Sequence, residues 1–156
     1  MKAYLAGAIE HASDRGEAWR TRMSHFLASE LRHDFYNPLI EENKYLTRDE
    51  SRQFRGLKTT DLPKFQETVR KLMTGDLKSL TTEIDYIICL WDEAAAIGGG
   101  TYGELTVAFH RNIPVFMVTL LPVENISGWI LGCATRIFPD FDELEQFLKA
   151  KYQLEK

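Results

Sequence analysis

Short apolar runs alternate with amphipathic stretches along this chain of 156 residues, the pattern of parallel strands joined through crossover helices. Residues 2–7 read as a first strand that ends at Gly7. Asp14-Arg15-Gly16-Glu17 reads as a capping box, after which Trp19, Met23, Phe26, Leu27 and Leu31 recur at helical spacing to about residue 31. Phe35-Tyr36-Asn37-Pro38 reads as a short strand stopped by proline. Residues 84–90 are apolar on both faces, which places that strand in the middle of a sheet. Residues 115–118 form a further strand, and Arg136-Ile137-Phe138 an edge strand.

Between these runs lie the helices. Asp61-Leu62-Pro63 starts one, with Phe65, Val69 and Leu72 on one face; Gly75 is expected to break it and Asp76 to open another that runs to about Thr82. Residues 103–111, residues 126–132 and a last segment from Asp140 complete the set. Residues 41–60 are polar and charged without a clean period, and read as an irregular, partly helical insertion placed to cover a site. The expected architecture is α/β: a flavodoxin-like or Rossmann-like doubly wound sheet of about five mostly parallel strands with helices on both faces. Residues 1–156 read as a single domain without internal repeat or linker.

Composition narrows the partner more than the fold. With 44% hydrophobic and 27% charged residues the chain can bury a sizeable core. A net charge of −4 provides no electrostatic footprint for nucleic acid or an acidic membrane surface, so the expected partner is a small molecule. The first residues have neither the length nor the flanks of a signal peptide, and no window approaches a membrane span; a cytoplasmic protein is expected. Cys89 and Cys133 lack metal-type spacing and read as buried free thiols. His11, His25, His33 and His110 show no ligand spacing either, and neither metal nor organic cofactor is expected.

The densest chemistry lies after the central strand. There the chain passes through Gly98-Gly99-Gly100-Thr101-Tyr102-Gly103 to Glu104, which is expected in the first turn of a helix and hence ionised by its unpaired N–H groups. Gly98, Gly100 and Gly103 spell G-x-G-x-x-G, but residues 91–97 separate them from the strand and Glu104 would repel a pyrophosphate, which disfavours a dinucleotide site. Ligands of open α/β sheets bind beyond the carboxyl ends of the strands, an edge that collects residues 7–10, 37–41, 92–104 and 119–127. Asn37, Asn125, Thr101, Ser127 and Tyr102 could recognise hydroxyl groups there. Asp76 is either a helix cap or a further acid at this rim, and Asn37 either faces substrate or forms a turn with Pro38. Asp85 reads as a buried group satisfied by a partner. Trp91 and Trp129 read as core residues, with Trp91 also placed to stack on a base.

These residues resemble the nucleoside 2-deoxyribosyltransferase family and the related nucleotide N-glycoside hydrolases. Tyr4-Leu5-Ala6-Gly7 followed by Ser13-Asp14-Arg15 is similar to the family's opening strand and sugar-side loop, and Asp76-Leu77 with Ile84-Asp85 to its D-L…D region. Gly100-Thr101-Tyr102-Gly103-Glu104-Leu105 followed by Ala108 resembles its G-x-x-x-E-L-x-x-A block, and Asn125 to Trp129 its N-x-x-x-W stretch. The resemblance implies that Glu104 attacks the anomeric carbon, that Asp76 handles the proton of the departing base, and that Asn125 reaches the site of a neighbouring subunit in a homo-oligomer with shared sites. Gly7, Asn37, Asp92, Gly100, Thr101 and Ser127 complete the expected substrate contacts. A nucleoside and a free base are the implied partners, with sugar transfer the favoured reaction. Hydrolysis of a nucleoside or nucleoside 5′-monophosphate is the alternative, and a nucleotide-sensing module without turnover is the non-enzymatic one. The chain carries Gly98 to Gly100 where the family has an acidic base-recognising residue. It has Ala8 and Glu10 where the hydrolases present serine and arginine, from which an unphosphorylated substrate is expected.

Overall fold

The computed structural model describes residues 1–153. Strand β1 (Lys2–Gly7) leads to helix α1 (Glu17–Phe26), which continues through a π turn at residues 27–31 into β2 (Asp34–Tyr36). Residues 38–60 fold as short helices α2 (Pro38–Glu41), α3 (Arg48–Gln53) and α4 (Leu57–Thr60), linked by single 3₁₀ turns over Glu42–Lys44 and Phe54–Gly56. Next come α5 (Leu62–Thr82), β3 (Tyr86–Leu90), α6 (Glu93–Ile97), α7 (Gly99–His110) and β4 (Val115–Val118). A 3₁₀ turn over Val123–Asn125, α8 (Gly128–Cys133), β5 (Arg136–Phe138) and α9 (Phe141–Gln153) follow.

The five strands are all parallel, in the order β2-β1-β3-β4-β5. Alternate side chains of each strand feed two cores. Tyr4, Ile87, Cys89 and Met117 meet Leu80, Leu105 and Ile130 of α5, α7 and α8 on one face. Leu5, Ile88 and Phe116 meet Met23 and Phe26 of α1 and Leu144 and Leu148 of α9 on the other. The doubly wound α/β sheet expected from the apolar runs is therefore the fold observed. Its order reverses between β1 and β3, the crevice where such sheets bind ligands. Both cysteines are buried and free, and among the described residues no helix is long and apolar enough to cross a membrane.

Several local expectations are overturned. Asp14 forms no capping box: its carboxylate accepts from the N–H groups of Gly16 at 2.8 Å and Ala18 at 3.1 Å, while Gly16 itself occupies the N-cap of α1. Gly16 has φ +70°, and a Cβ there would lie 2.2 Å from Nη1 of Arg20, so both conformation and space demand glycine. Gly75 does not break a helix. α5 runs unbroken for 21 residues through Gly75 and Asp76, because the ring of Tyr45 packs where a Cβ would sit, 2.6 Å from the Tyr45 hydroxyl. Asp76 is thus mid-helix and caps nothing. Asp85 is exposed at the amino edge of the sheet, accepting from the N–H of Lys2 at 2.6 Å. Trp129 is 66% exposed, not core, and its indole N–H donates to Thr106.

Candidate active site

Beyond the carboxyl ends of β1 and β3 lies a cavity of about 190 Å³, smaller than the roughly 300–1,000 Å³ of most closed ligand sites. The segment after β1, residues 7–11, forms one side, and the start of α7 with Ala94 and Ala95 of α6 forms another. Pro38, Arg55 and Asp76 close the remainder. The glycines have a spatial role: a Cβ on Gly99 or Gly100 would meet no protein atom within 4 Å, so these positions leave room for a ligand against bare backbone.

Two tyrosines on neighbouring strands hold the two acids. Tyr4 of β1 donates its hydroxyl to Oε1 of Glu104 at 2.6 Å, and Tyr36 of β2 donates to Oδ1 of Asp76 at 2.9 Å. Their rings stack with centroids 5.1 Å apart and planes 9° from parallel. Strand register explains the pairing, since Tyr4 lies opposite Tyr36 in the ladder and both side chains leave the sheet toward α5 and α7. Burial pushes the Glu104 carboxyl up to about 7; the Tyr4 hydroxyl opposes this, Asp76 adds to it, and Arg20 offsets it in part. Burial likewise raises Asp76 to about 6 against the hydrogen bond from Tyr36, with Glu41 and Glu42 pushing in the same direction as burial. The expectation of a fully ionised Glu104 in a first turn is corrected here. α7 begins at Gly99, so Glu104 stands in its second turn, beyond the free N–H groups, and desolvation governs its charge.

Beneath the segment after β1 lies Arg20, which is 1% exposed. Its guanidinium donates to the main-chain carbonyls of Leu5, Gly7, Ala8, Arg15 and Gly16 at 2.8 to 3.3 Å. It thereby ties the end of β1 to the start of α1, and burial lowers its pKa while the Glu104 charge opposes that. The residues after β1 are also tied to the 41–60 segment, for Lys58 pairs with Glu10 and this contact holds the Glu10 carboxyl below its usual range.

Of the sequence-derived site residues, the cavity gathers Gly7, Asp76, Gly100, Thr101 and Glu104. Asn37, Asp92, Asn125 and Ser127 are not among its lining. Asn37 is buried and caps α2, its Oδ1 accepting from the N–H of Leu39 at 3.1 Å. Asp92 caps α6 by accepting from the N–H of Ala95 at 2.8 Å. Asn125 and Ser127 are exposed on the turn before α8. Trp91 is 1% exposed, edge-on to Tyr102, and cannot stack on a ligand. Sequence reasoning missed Tyr36, Arg20 and Arg55 and left His11 as a surface residue, although it reaches the cavity wall. A polar tip on an apolar strand was the available signal for Tyr36. Among the described residues no three His, Cys, Asp or Glu side chains are grouped to hold a metal ion.

No protein-family model matches this sequence, and no curated protein matches it either. Solved structures do. A 2-deoxyribosyltransferase from Bacillus psychrosaccharolyticus aligns at a TM-score of 0.63 and 14% identity, covering 97% of this chain and 96% of that one. The CMP N-glycosidase of Clostridium botulinum aligns at a TM-score of 0.55 and 16% identity, covering 97% and 99%. At such identities the likeness is one of fold.

Proposed function

We propose that this chain cleaves the N-glycosidic bond of a nucleoside or nucleotide through a covalent glycosyl–Glu104 intermediate. The observation that carries the reading is the pair of tyrosine-held carboxyls, Glu104 and Asp76, facing one cavity and both pushed up by burial, to about 7 and about 6, so that they share a proton near neutrality; the reactive form, with Glu104 ionised and Asp76 protonated, is the less populated of the two one-proton forms. Breaking such a bond develops positive charge on the sugar and negative charge on the base, so it calls for an anionic carboxylate and a proton source together. An oxygen of ionised Glu104 attacks the anomeric carbon, the carbon–nitrogen bond breaks with its electron pair moving to the base, and protonated Asp76 supplies the proton. A ring nitrogen of a second base then displaces Glu104 and completes a transfer; water in its place completes a hydrolysis. Fold likeness to a 2-deoxyribosyltransferase and to a CMP N-glycosidase supports the reaction class and is compatible with both endings.

The cavity is small and neither Asn125 nor Ser127 of the same chain lines it, and we propose that these residues of a second copy complete it. Sedimentation at micromolar concentration should then show a dimer or larger species, and a fully active monomer would remove this element. The reaction is tested by mass spectrometry of the protein mixed with a deoxynucleoside, followed by chromatography with and without a second free base. A sugar adduct on Glu104 and a new nucleoside are the expected results. Free sugar without exchange identifies hydrolysis, and a bound nucleoside that yields neither adduct nor free base refutes the enzymatic reading.

A further inference from the structure

We propose that Arg55 is a specificity-determining residue that holds a phosphate monoester on the substrate, so that the cavity takes a nucleoside 5′-monophosphate in preference to the nucleoside. The proposal rests on the N-glycosidic reading for the identity of the rest of the ligand, and on the chain's own geometry for the anion.

Arg55 sits in the 3₁₀ turn between α3 and α4 and reaches the cavity that Glu104 and Asp76 also line. Its guanidinium lies 4.5 Å from the ring centroid of Phe54, which is itself buried and stacked on Phe65 of α5 at 6.1 Å. The platform fixes the position of a long side chain before any ligand arrives, which removes part of the ordering cost of binding. The guanidinium is half-buried, yet among the described residues no side chain hydrogen-bonds or ion-pairs with it. The nearby carboxylates are engaged elsewhere: Glu42 accepts from Arg15 at 2.7 Å and Ser51 at 2.6 Å, and Glu10 is paired with Lys58. Burial first and the neighbouring Arg15 charge second push the Arg55 pKa down, and the charges of Glu42 and Glu10 offset this only in part.

A planar fork of donors in a partly dry cavity complements a phosphate, which it can grip through two parallel bonds. On a nucleoside, the 5′-phosphate is the group of that chemistry that shares one small ligand with the anomeric carbon. The unphosphorylated substrate expected from Ala8 and Glu10 is the opposite preference, and the Lys58–Glu10 pair weakens its basis by offsetting the Glu10 charge.

The test compares kcat/KM for a pyrimidine deoxynucleoside and its 5′-monophosphate on the wild type, Arg55→Ala and Arg55→Lys. The wild type should favour the monophosphate at least tenfold. Arg55→Ala should collapse that ratio by a factor of about 30 or more, and Arg55→Lys should recover part of it, which separates lost charge from lost folding. Calorimetry on Glu104→Gln protein gives an arm independent of turnover, with the monophosphate in one titration and the nucleoside plus inorganic phosphate in another. Tighter binding of the monophosphate that disappears with the additional Arg55→Ala change supports the proposal even if no glycosidic bond is ever cleaved, an outcome that would overturn only the reaction. Equal binding of monophosphate and nucleoside by Glu104→Gln protein, a ratio unmoved by Arg55→Ala, or full restoration of the binding gain by free phosphate overturns the proposal.

Discussion

Replacing Tyr4 with phenylalanine removes one hydroxyl and leaves the ring that stacks on Tyr36. The lost group is the donor at 2.6 Å to Oε1 of Glu104, and that bond favours the ionised carboxyl. A hydrogen bond to a charged group contributes about 1.5–3 kcal/mol, and 1.36 kcal/mol corresponds to one pKa unit, so Glu104 should move upward from about 7 by roughly one to two units. Since Glu104 attacks in its ionised form in the proposed reaction, the acidic limb of the rate profile should follow it. At pH 6 the variant should retain about a tenth to a hundredth of wild-type kcat/KM, and the two should converge by about pH 10. The assay is kcat/KM against pH with a deoxyriboside whose nitrophenolate leaving group departs without a proton, which isolates Glu104 from Asp76. An acidic limb that stays in place, or moves down, would refute the claim that Tyr4 sets the charge of the nucleophile.

Tyr36→Phe should act on the other limb: the hydrogen bond at 2.9 Å lowers the Asp76 pKa, so its loss should move the alkaline fall in activity on natural bases to higher pH. Asp76→Asn should slow substrates with poor leaving bases far more than the nitrophenyl compound; an equal loss on both would mark Asp76 as structural. Glu104→Gln should reduce turnover by about a thousandfold and raise the melting temperature at pH 8. The sign follows from a folded-state pKa of about 7 above the ordinary 4.5: that stabilisation is complete below pH 4.5 and is lost as pH climbs through 7. The difference amounts to about 3 kcal/mol, or several degrees for a chain of this size, and should vanish at pH 4. Melting curves of both proteins at the two pH values check it.

The central strands were readable because each is a compact apolar run, whereas the order β2-β1-β3-β4-β5 is set by which strands pair in the folded sheet. Helix punctuation was harder. Gly75 looks like a breaker in isolation, but the tertiary contact with Tyr45 makes glycine the residue that fits inside a continuous helix. The run from Gly98 to Gly103 looks like a loop, yet α7 starts at Gly99, and the few residues of difference reverse the reasoning about Glu104 from a dipole-stabilised anion to a desolvated acid. Glu104 and Asp76 were legible as the acids of one rim because each belongs to a motif. Arg55 belongs to none; only the folding of the 41–60 segment against Phe65 brings it to the cavity.

The Arg20 clamp grips main-chain oxygens of five residues, of which Leu5, Ala8 and Arg15 carry side chains that contribute nothing to those bonds. The path of the cavity's first wall is therefore set largely by one arginine and the backbone it holds, while the side chains of Ala8, Ile9 and His11 along that wall take no part in the clamp. A protein built this way can explore new ligands by rewriting residues 8, 9 and 11 without moving the backbone of the wall.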